Sequence, residues 1–374
     1  MKSETQRKID EAHMTAAARL AIRGRGGAEP NPPVGCLIVS PENRVVGWGY
    51  HRRFGGPHAE VHALRRAGAR ARGATAYVTL EPCSHTGKTP PCTEALIEAG
   101  IGRVVIARRD PNPIAAGGVD RLRAAGLQVD LLPDCEPAVA VTDPFAHRVR
   151  SGLPWVIAKW AQTLDGRVAT REGKSRWISG EVSRRMVHRE RGRVDAILTG
   201  IGTVLADDPL LTAREVRVRR LARRVVIDPL LRTPPDAQIV TTAKDMATII
   251  ACDEKALEDE HPKRARMRAA GVELIGLPVE GGELSVTPLM RRLVEEYNTT
   301  NVLVEAGPRL LAHLLRQNLV KEAWVFVAPL LLGDDAAVAC LTGREAPRLT
   351  DGLTLSLVSQ RRRGGDAVLR YRVG

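Results

Sequence analysis

The sequence predicts an α/β protein built as two domains, 1–148 and 149–374. Three observations lead there. A chain of 374 residues is long for one domain. Helix-period and strand-period segments alternate along it. The pattern restarts with a strand at Trp155, after the basic, Gly/Pro-containing segment Arg148–Pro154. Hydrophobic residues make up 44% of the chain but aromatics only 3%, so the core must rest on Leu, Val, Ile and Ala.

From Glu4 to Arg23, Ile9, Ala12, His13, Ala16, Ala17, Leu20 and Ala21 recur at helical spacing, and Gly24–Gly27 ends the helix. Pro30-Asn31-Pro32-Pro33 forms a rigid turn, where Asn31 either presents its amide to a base-like ligand or simply makes the turn. Leu37–Val39 and Val45–Tyr50 read as antiparallel strands joined near Pro41-Glu42-Asn43. Gly56-Pro57 opens a helix from 58 to 72, with Val61, His62, Leu64 and Arg65 at helical spacing and His58 and Glu60 in its first turn. Thr75–Leu80 reads as a buried strand that delivers Pro82-Cys83 to its end. Cys92 follows Pro90-Pro91 and opens the next helix, with Leu96 and Ile97 on its buried face. A strand at Arg103–Ala107, the segment Asp110-Pro111-Asn112-Pro113, a helix near Val119–Ala125 and a strand at Gln128–Leu132 complete this half.

Two helix N-termini and one strand end would thus bring His58, Glu60, Cys83 and Cys92 together. One imidazole and two thiols give Zn²⁺ three ligands and leave its fourth tetrahedral position for water, the layout of a catalytic site. Helix N-termini favour thiolate over thiol, and Glu60 would face that water as a proton carrier. Taken singly, His58 reads as a packed or surface histidine and the two cysteines as buried thiols. Jointly, His-x-Glu followed by Pro-Cys and a second Cys is the zinc-deaminase pattern. Eight residues, Ser84–Pro91, separate the cysteines where the common form has two. They include Gly87-Lys88-Thr89, which is no P-loop, because the position of the first required glycine is Pro82. Lys88 reads as a solvated loop lysine or as a phosphate or ribose contact beside the zinc.

The net charge of +13 is mostly arginine, spread as Arg65-Arg66, Arg184-Arg185, Arg219-Arg220 and Arg361-Arg362-Arg363 with few aromatics between. That distribution does not single out nucleic acid and suits phosphorylated small molecules equally. Six cysteines are too sparse for a disulfide framework, which points to a reducing cytosol. The polar start, Met1–Asp10, lacks a signal-peptide core, and no apolar run approaches the ~20 residues of a membrane span. The expectation is a cytoplasmic protein without membrane attachment.

In the second half, a strand at Trp155–Gln162 leads into the turn Thr163-Leu164-Asp165-Gly166. Ser179 or Gly180 could cap a helix, Glu181–Arg191. The buried strand Val194–Leu198 runs into Thr199-Gly200-Ile201-Gly202-Thr203, where a glycine pair lets backbone amides approach phosphate, although G-x-G-x-x-L is not a full dinucleotide fingerprint. Val225–Asp228, Thr248–Ala251 and Val272–Ile275 read as strands. Asn301–Val304 enters Glu305-Ala306-Gly307-Pro308-Arg309 and a helix, a second corner fit for phosphate, with Glu305 at a strand end facing the ligand crevice. Ala323–Ala328, Leu353–Val358 and Ala367–Arg372 close the sheet, and the charged stretches 212–222 and 252–268 are expected as exposed loop or helix.

The motifs PNPPVGC, PHAEVHAL, AYVTLEPCSHTGKTPPC, DPNP, AQTLDGRVA, SRWISG, TVLADDPLLTAR and VEAGPRLL together resemble the bifunctional riboflavin biosynthesis proteins, over nearly the whole chain. These join a diaminohydroxyphosphoribosylaminopyrimidine deaminase to a 5-amino-6-(5-phosphoribosylamino)uracil reductase. The resemblance implies a cytidine-deaminase-like α/β/α domain followed by a dihydrofolate-reductase-like α/β domain. It implies zinc-dependent hydrolytic deamination at C2 of the pyrimidine, with Glu60 carrying the proton to the leaving ammonia and Asn31, Lys88 and Thr89 on the substrate. It also implies reduction by NADPH at C1′, opening the sugar to a ribityl chain. Ala161, Trp177, Thr203, Asp207, Gly307, Pro308, Arg309, Leu310 and Leu311 would hold NADPH. Ser175, Arg191, Leu211, Arg214 and Glu305 would hold the substrate, the two arginines on its 5′-phosphate. Lys159, on the strand entering the cleft, would polarise the sugar or the nicotinamide site. The implied partner is a phosphorylated pyrimidine rather than nucleic acid or membrane, and the implied assembly a homo-oligomer.

Read without the resemblance, Arg191 and Arg214 are surface arginines, Trp177 is a core residue and Asp207 a helix-end cap. Two positions depart from the family pattern: Ala115–Val119 lacks a basic residue, and Thr142 stands where an Asn is usual. Two other readings fit the zinc motif. A deaminase acting on nucleic acid would bind RNA with a steep salt dependence. A zinc-stabilised binding protein would unfold on chelation and need no catalytic Glu60.

Overall fold

In the computed structural model, which describes residues 4–86, 90–258 and 261–374, the chain divides into two units, Met1–Leu153 and Pro154–Gly374. The first contains α1 (Glu4–Ala21), β1 (Gly35–Val39), β2 (Val45–Tyr50), α2 (Ala59–Ala67), β3 (Thr75–Val78), α3 (Cys92–Glu98), β4 (Arg103–Ile106), α4 (Gly118–Ala124), β5 (Gln128–Leu131) and α5 (Glu136–Ser151). Its sheet runs β2-β1-β3-β4-β5, with β1 antiparallel to both neighbours and β3, β4 and β5 parallel. Strand alternation sends Cys36 and Ile38 to a core with Ala63, Leu96 and Leu122, and sends Leu37 and Val39 to another with Met14, Ala17 and Ala138. The result is three layers, α2, α3 and α4 on one face and α1 and α5 on the other, as expected.

Helix α2 lies unusually close to the sheet. A Cβ at Gly47 would stand 2.4 Å from the Ala63 carbonyl oxygen, and one at Gly49 would stand 2.2 Å from that of Ala59. Only glycine permits this approach, which seats the start of α2 directly on β2.

A buried ionic network ties α1 to the sheet. The fully buried Asp10 accepts from Arg103 Nη1 and Nη2 (3.0 and 2.6 Å), Tyr77 Oη (2.9 Å) and Gln6 Nε2 (3.0 Å). Arg103 Nε donates to Asp130 at 2.7 Å, which extends the network to β5.

The structure departs from the sequence reading at several ends. The helix predicted to residue 72 stops at Ala67 and continues as a 3₁₀ turn, and β3 stops at Val78. Helix α5 is unanticipated and runs through residue 148, the predicted boundary. Pro137 suits its first turn, and the buried Ala138, Val141, Thr142, Phe145 and Ala146 hold it despite Pro144.

The second unit contains β6 (Trp155–Gln162), β7 (Arg167–Ala169), α6 (Glu181–Arg191), β8 (Ala196–Gly200), α7 (Ile201–Asp207), β9 (Arg223–Ile227), α8 (Gln238–Thr241), β10 (Thr248–Asp253), α9 (Pro262–Ala269), β11 (Val272–Leu277), β12 (Val279–Glu280), β13 (Glu283–Leu284), α10 (Thr287–Glu295), β14 (Asn301–Val304), α11 (Pro308–Arg316), β15 (Val320–Val327), β16 (Val338–Ala339), β17 (Leu355–Arg363) and β18 (Asp366–Val373). The main sheet is ordered β11-β10-β9-β8-β14-β6-β15-β18-β17. It is parallel from β11 to β15 and antiparallel at β18 and β17. Because β14 inserts between β8 and β6, the strand order reverses there, the point at which open α/β sheets form their ligand crevice. Helix α10 and the two short ribbons, β12–β13 and β7–β16, were not expected from sequence. Among the described residues no helix is long and apolar enough to cross a membrane.

The Asp10 network has a measurable pH signature. Although burial pushes its carboxyl up, the Arg103, Gln6 and Tyr77 hydrogen bonds hold it at about 2, below the ordinary 3.8. The stabilisation it contributes is therefore complete above about pH 4 and is lost as pH falls towards 2, an effect of about 2 kcal/mol. Asp10→Asn should remove that acid-range loss and cost about 3 kcal/mol at neutral pH in a denaturant titration.

Candidate functional site

In the first unit three elements deliver the predicted donors. His58 is the residue that caps α2 rather than a member of its first turn, and Glu60 sits one residue inside the helix. Cys83 lies in the loop after β3, and Cys92 is the first residue of α3. The loop is fixed by Glu81, 4% exposed, whose carboxylate accepts from Val119 N at 2.8 Å and Asp110 N at 2.9 Å. Cys92 N donates to Cys83 Sγ at 3.4 Å, so the second helix N-terminus points at the first thiol.

His58 Nδ1 stands 3.2 Å from Cys92 Sγ and 3.6 Å from Cys83 Sγ, and the three donor atoms lie within 4.8 Å of one another. Ideal tetrahedral zinc with these ligands places nitrogen and sulfur about 3.5 Å apart. The donor set thus fits zinc. A hydrogen bond from Cys92 lowers the pKa of Cys83 against the effect of burial, and the same bond, then burial, raises Cys92. A divalent cation would displace thiol protons from this pair. Glu60 is 3% exposed, is raised by burial, and its Oε2 has no hydrogen-bond partner. A buried carboxylate oxygen without a partner beside a three-donor set fits a site that receives a polar group.

Asn31 reaches the same neighbourhood through a residue the sequence reading missed. His51 is 2% exposed, and its ring stands edge-on to that of His58 with centroids 5.2 Å apart. Its Nδ1 donates to the Pro57 carbonyl at 3.2 Å, which leaves Nε2 to accept from Asn31 Nδ2 at 3.5 Å. Burial holds this imidazole down to about 4, so it is neutral. The available signal was a histidine at the end of β2, seven residues before His58. Asp110, in the DPNP segment, is pushed up to about 6 by burial, with Glu81 and Cys83 adding to the effect. The segment Ala115–Val119 packs against the cysteine loop without a basic group: Ser84 Oγ donates to the Ala116 carbonyl at 2.7 Å. Lys88 and Thr89 lie outside the described residues.

In the second unit the predicted residues gather at the carboxyl ends of three adjacent parallel strands, β8, β14 and β6. Glu305 follows β14 and forms a bidentate pair with Arg191, Nε–Oε1 2.6 Å and Nη2–Oε2 3.0 Å, with Lys159 Nζ 3.5 Å from Oε2. Burial pushes this carboxyl up, but Arg191 and Lys159 outweigh it and hold it at about 2. Arg191 Nη1 also donates to the Thr212 carbonyl at 3.1 Å, so Arg191 is a packed ion-pair residue rather than a loose surface arginine. Arg214 is exposed, its Nη1 donating to Thr212 Oγ1 at 3.2 Å.

Gly307 caps α11 with no side chain over its N-terminus, and nothing lies within 4 Å of the place a Cβ would occupy. Gly200 at the neighbouring corner faces Leu310, 3.0 Å from its hypothetical Cβ. Two glycine corners on adjacent strands, one with an open uncapped helix start, fit the phosphates of a dinucleotide. Trp177 is 69% exposed, not a core residue, and Arg184 stacks 4.6 Å from its ring. Asp207 ends α7, where its carbonyl accepts from Arg176 Nη2 at 3.0 Å. Leu211 and Leu311 are each 3% exposed, so their side chains are core. Ala161, Ser175 and Thr203 are half-buried, Pro308 and Leu310 likewise, and Arg309 is exposed.

Two family models match the chain. Residues 7–108 match the cytidine and deoxycytidylate deaminase zinc-binding region, and residues 154–369 match the RibD C-terminal domain. The riboflavin biosynthesis protein RibD of Escherichia coli is 42% identical over 366 residues, covering 96% of this chain and 98% of that protein. Its namesake in Aquifex aeolicus is 39% identical over 336 residues, covering 90% and 91%. The chain belongs to the RibD family. Solved RibD-family structures agree along their whole length: Acinetobacter baumannii RibD superposes with a TM-score of 0.82 at 36% identity, covering 98% of this chain and 99% of that one. A Thermotoga maritima protein titled as the deaminase/reductase gives 0.82 at 32% identity, covering 99% and 100%. As a RibD-family member the chain is an enzyme of riboflavin biosynthesis, with a zinc-binding deaminase domain followed by a reductase domain that uses NADPH.

Replacing Cys83 by Ser should lower bound zinc well below one per chain by atomic absorption, while NADPH binding to the reductase unit persists. Glu305→Gln leaves Arg191 and Lys159 without their buried counter-ion. It should cost about 3 kcal/mol in denaturant titration and raise the reductase KM for its phosphorylated substrate.

Proposed function

We propose that the first unit hydrolytically deaminates 2,5-diamino-6-ribosylamino-4(3H)-pyrimidinone 5′-phosphate. The second unit then reduces the ribosyl chain to give 5-amino-6-ribitylaminouracil 5′-phosphate. The observation that carries the first step is the His58, Cys83 and Cys92 donor set beside the unpartnered Glu60 Oε2. His58, Cys83 and Cys92 would hold zinc, which when bound would supply Lewis-acid activation of water. Glu60 takes the proton that the attacking water gives up and passes it to the amino group leaving C2, so that ammonia departs, while the second water proton moves to the adjacent ring nitrogen as the carbonyl forms. Asn31 and neutral His51 form a polar floor suited to the pyrimidine edge. Lys88 and Thr89 are proposed on the substrate by the family pattern alone.

For the second step, NADPH when bound would supply the hydride for C1′. Gly307, Pro308, Arg309, Leu310 and Leu311 offer the uncapped start of α11 to its phosphates, with Ala161, Thr203, Asp207 and Trp177 around the same strand ends. Glu305, held ionised by Arg191 and Lys159, is placed to accept from sugar hydroxyls, and the Lys159 ammonium to stabilise the oxygen freed as the ring opens. Arg191 keeps donors beyond those used on Glu305 and Thr212, and together with exposed Arg214 it suits the 5′-phosphate, with Ser175 and the Leu211 backbone beside it.

The substrate is thus a phosphorylated pyrimidine. Six free cysteines support a cytoplasmic location. A homo-oligomer is supported by the edge position of β17, where Leu357 is 54% exposed, and light scattering tests it.

The decisive assay follows ammonia release and NADPH oxidation together on the diaminopyrimidine ribosyl phosphate. Ammonia should appear first and NADPH loss follow. Ammonia without NADPH loss would remove the second step, and neither signal from zinc-loaded protein would remove both. Glu60→Gln should retain zinc and lower deamination by about 10³-fold while NADPH oxidation on deaminated substrate is unchanged.

A further inference from the structure

We propose that Asp165 and the Arg171–Asp334 pair are positioning residues that fix the segment Ser175–Trp177 of the reductase unit. This rests on the reading that Ser175 contacts the substrate and Trp177 contacts NADPH.

Strands β6 and β15 are parallel neighbours, so both chains leave the sheet at its carboxyl edge, where the crevice lies. Their two exit segments are zipped together. Leu164 N donates to the Leu330 carbonyl at 2.7 Å, β7 pairs with β16, and Cys340 N donates to the Gly166 carbonyl at 3.0 Å. Asp165, the acid of the TLDG turn, closes the zip. Thr163 Oγ1 donates to one of its oxygens at 2.5 Å, and Gly333 N and Leu332 N donate to the other at 2.8 and 3.2 Å. Beyond Ala169 the first segment folds into a tight turn, with Gly173 N bonded to the Thr170 carbonyl at 2.9 Å, and emerges at Ser175. One link ties this tip to the second segment among the described residues. Arg171 Nε and Nη2 meet the two carboxylate oxygens of Asp334 at 2.8 and 2.6 Å.

On its far side the segment is anchored by Arg176, which donates to the Asp207 carbonyl at 3.0 Å. Trp177, the residue directly after the Arg176 anchor, has no core beneath it, being 69% exposed. Its ring meets the Arg184 and Arg176 guanidinium groups at 4.6 and 5.9 Å, and the strap that carries it sets where that ring stands. The Arg171 side chain is 66% exposed, so solvent screens the pair and its contribution to global stability is modest. The two aspartates hold the strap that carries Ser175 and Trp177.

The test uses the full-length enzyme. In Arg171→Ala and in Asp334→Asn, the KM for NADPH should rise roughly tenfold while kcat at saturating NADPH, the melting temperature and ammonia release stay unchanged. The double variant should be no worse than either single one, and the exchange of Arg171→Asp with Asp334→Arg should recover most of the loss. Asp165→Asn should act in the same direction. Unchanged KM in Arg171→Ala and Asp334→Asn, with or without a fall in melting temperature, would overturn the proposal, provided Trp177→Ala does raise KM. If Trp177→Ala and Ser175→Ala leave both substrates' KM values unchanged, the reading on which the proposal rests fails, and the proposal with it.

Discussion

A helix normally stands off a strand by the thickness of the side chains between them. In the first unit β2 removes that thickness at Gly47 and Gly49, and α2 rests on bare backbone. His58 and Glu60 begin this helix, so their position relative to the sheet is set by main-chain contact, which cannot relax by changing a rotamer. The cysteines are fixed by backbone too, Cys83 by the Glu81 clamp on its loop and Cys92 by opening α3. A tetrahedral donor set tolerates little drift, and every donor here is placed by main chain rather than by a flexible stem.

The two sites handle buried charge in opposite ways. Around Glu60 there is a shortage of partners: one oxygen is orphaned and burial opposes ionisation. Around Glu305 there is a surplus, with Arg191 and Lys159 both facing one carboxylate. The first arrangement suits a group that gains and loses a proton. The second suits a fixed anion that orients a substrate without titrating.

Much of this was legible in the sequence where local chemistry is self-contained. The zinc donors, Glu60, the glycine corners and the strands β6 and β14 follow from motif and period, and the observed bounds of both strands agree with the reading. What failed to show had a physical cause. Helix α5 carries Pro144 and a Gly/Pro-flanked end, so its local signals argue against a helix that tertiary burial of Val141, Phe145 and Ala146 nonetheless holds. His51 is a single residue whose meaning comes only from contact with Asn31 and His58. Arg191 read as a surface charge because its partner, Glu305, lies more than a hundred positions away. Trp177 read as core because large aromatics usually are, and only the fold reveals it standing on a strap at the sheet edge.

Each site draws its described residues from one unit alone: His58, Glu60, Cys83 and Cys92 from the first, Lys159, Arg191, Glu305 and the Gly307 corner from the second. The described residues of each centre therefore come from half a polypeptide. A chain inactivated in one half and a chain inactivated in the other hold, between them, one intact copy of each centre. The phosphorylated intermediate is small and charged, and it can pass between them through solvent. Genetic lesions in the two halves should accordingly fall into two complementation groups although they lie in a single reading frame, and the gene would behave in crosses as if it were two.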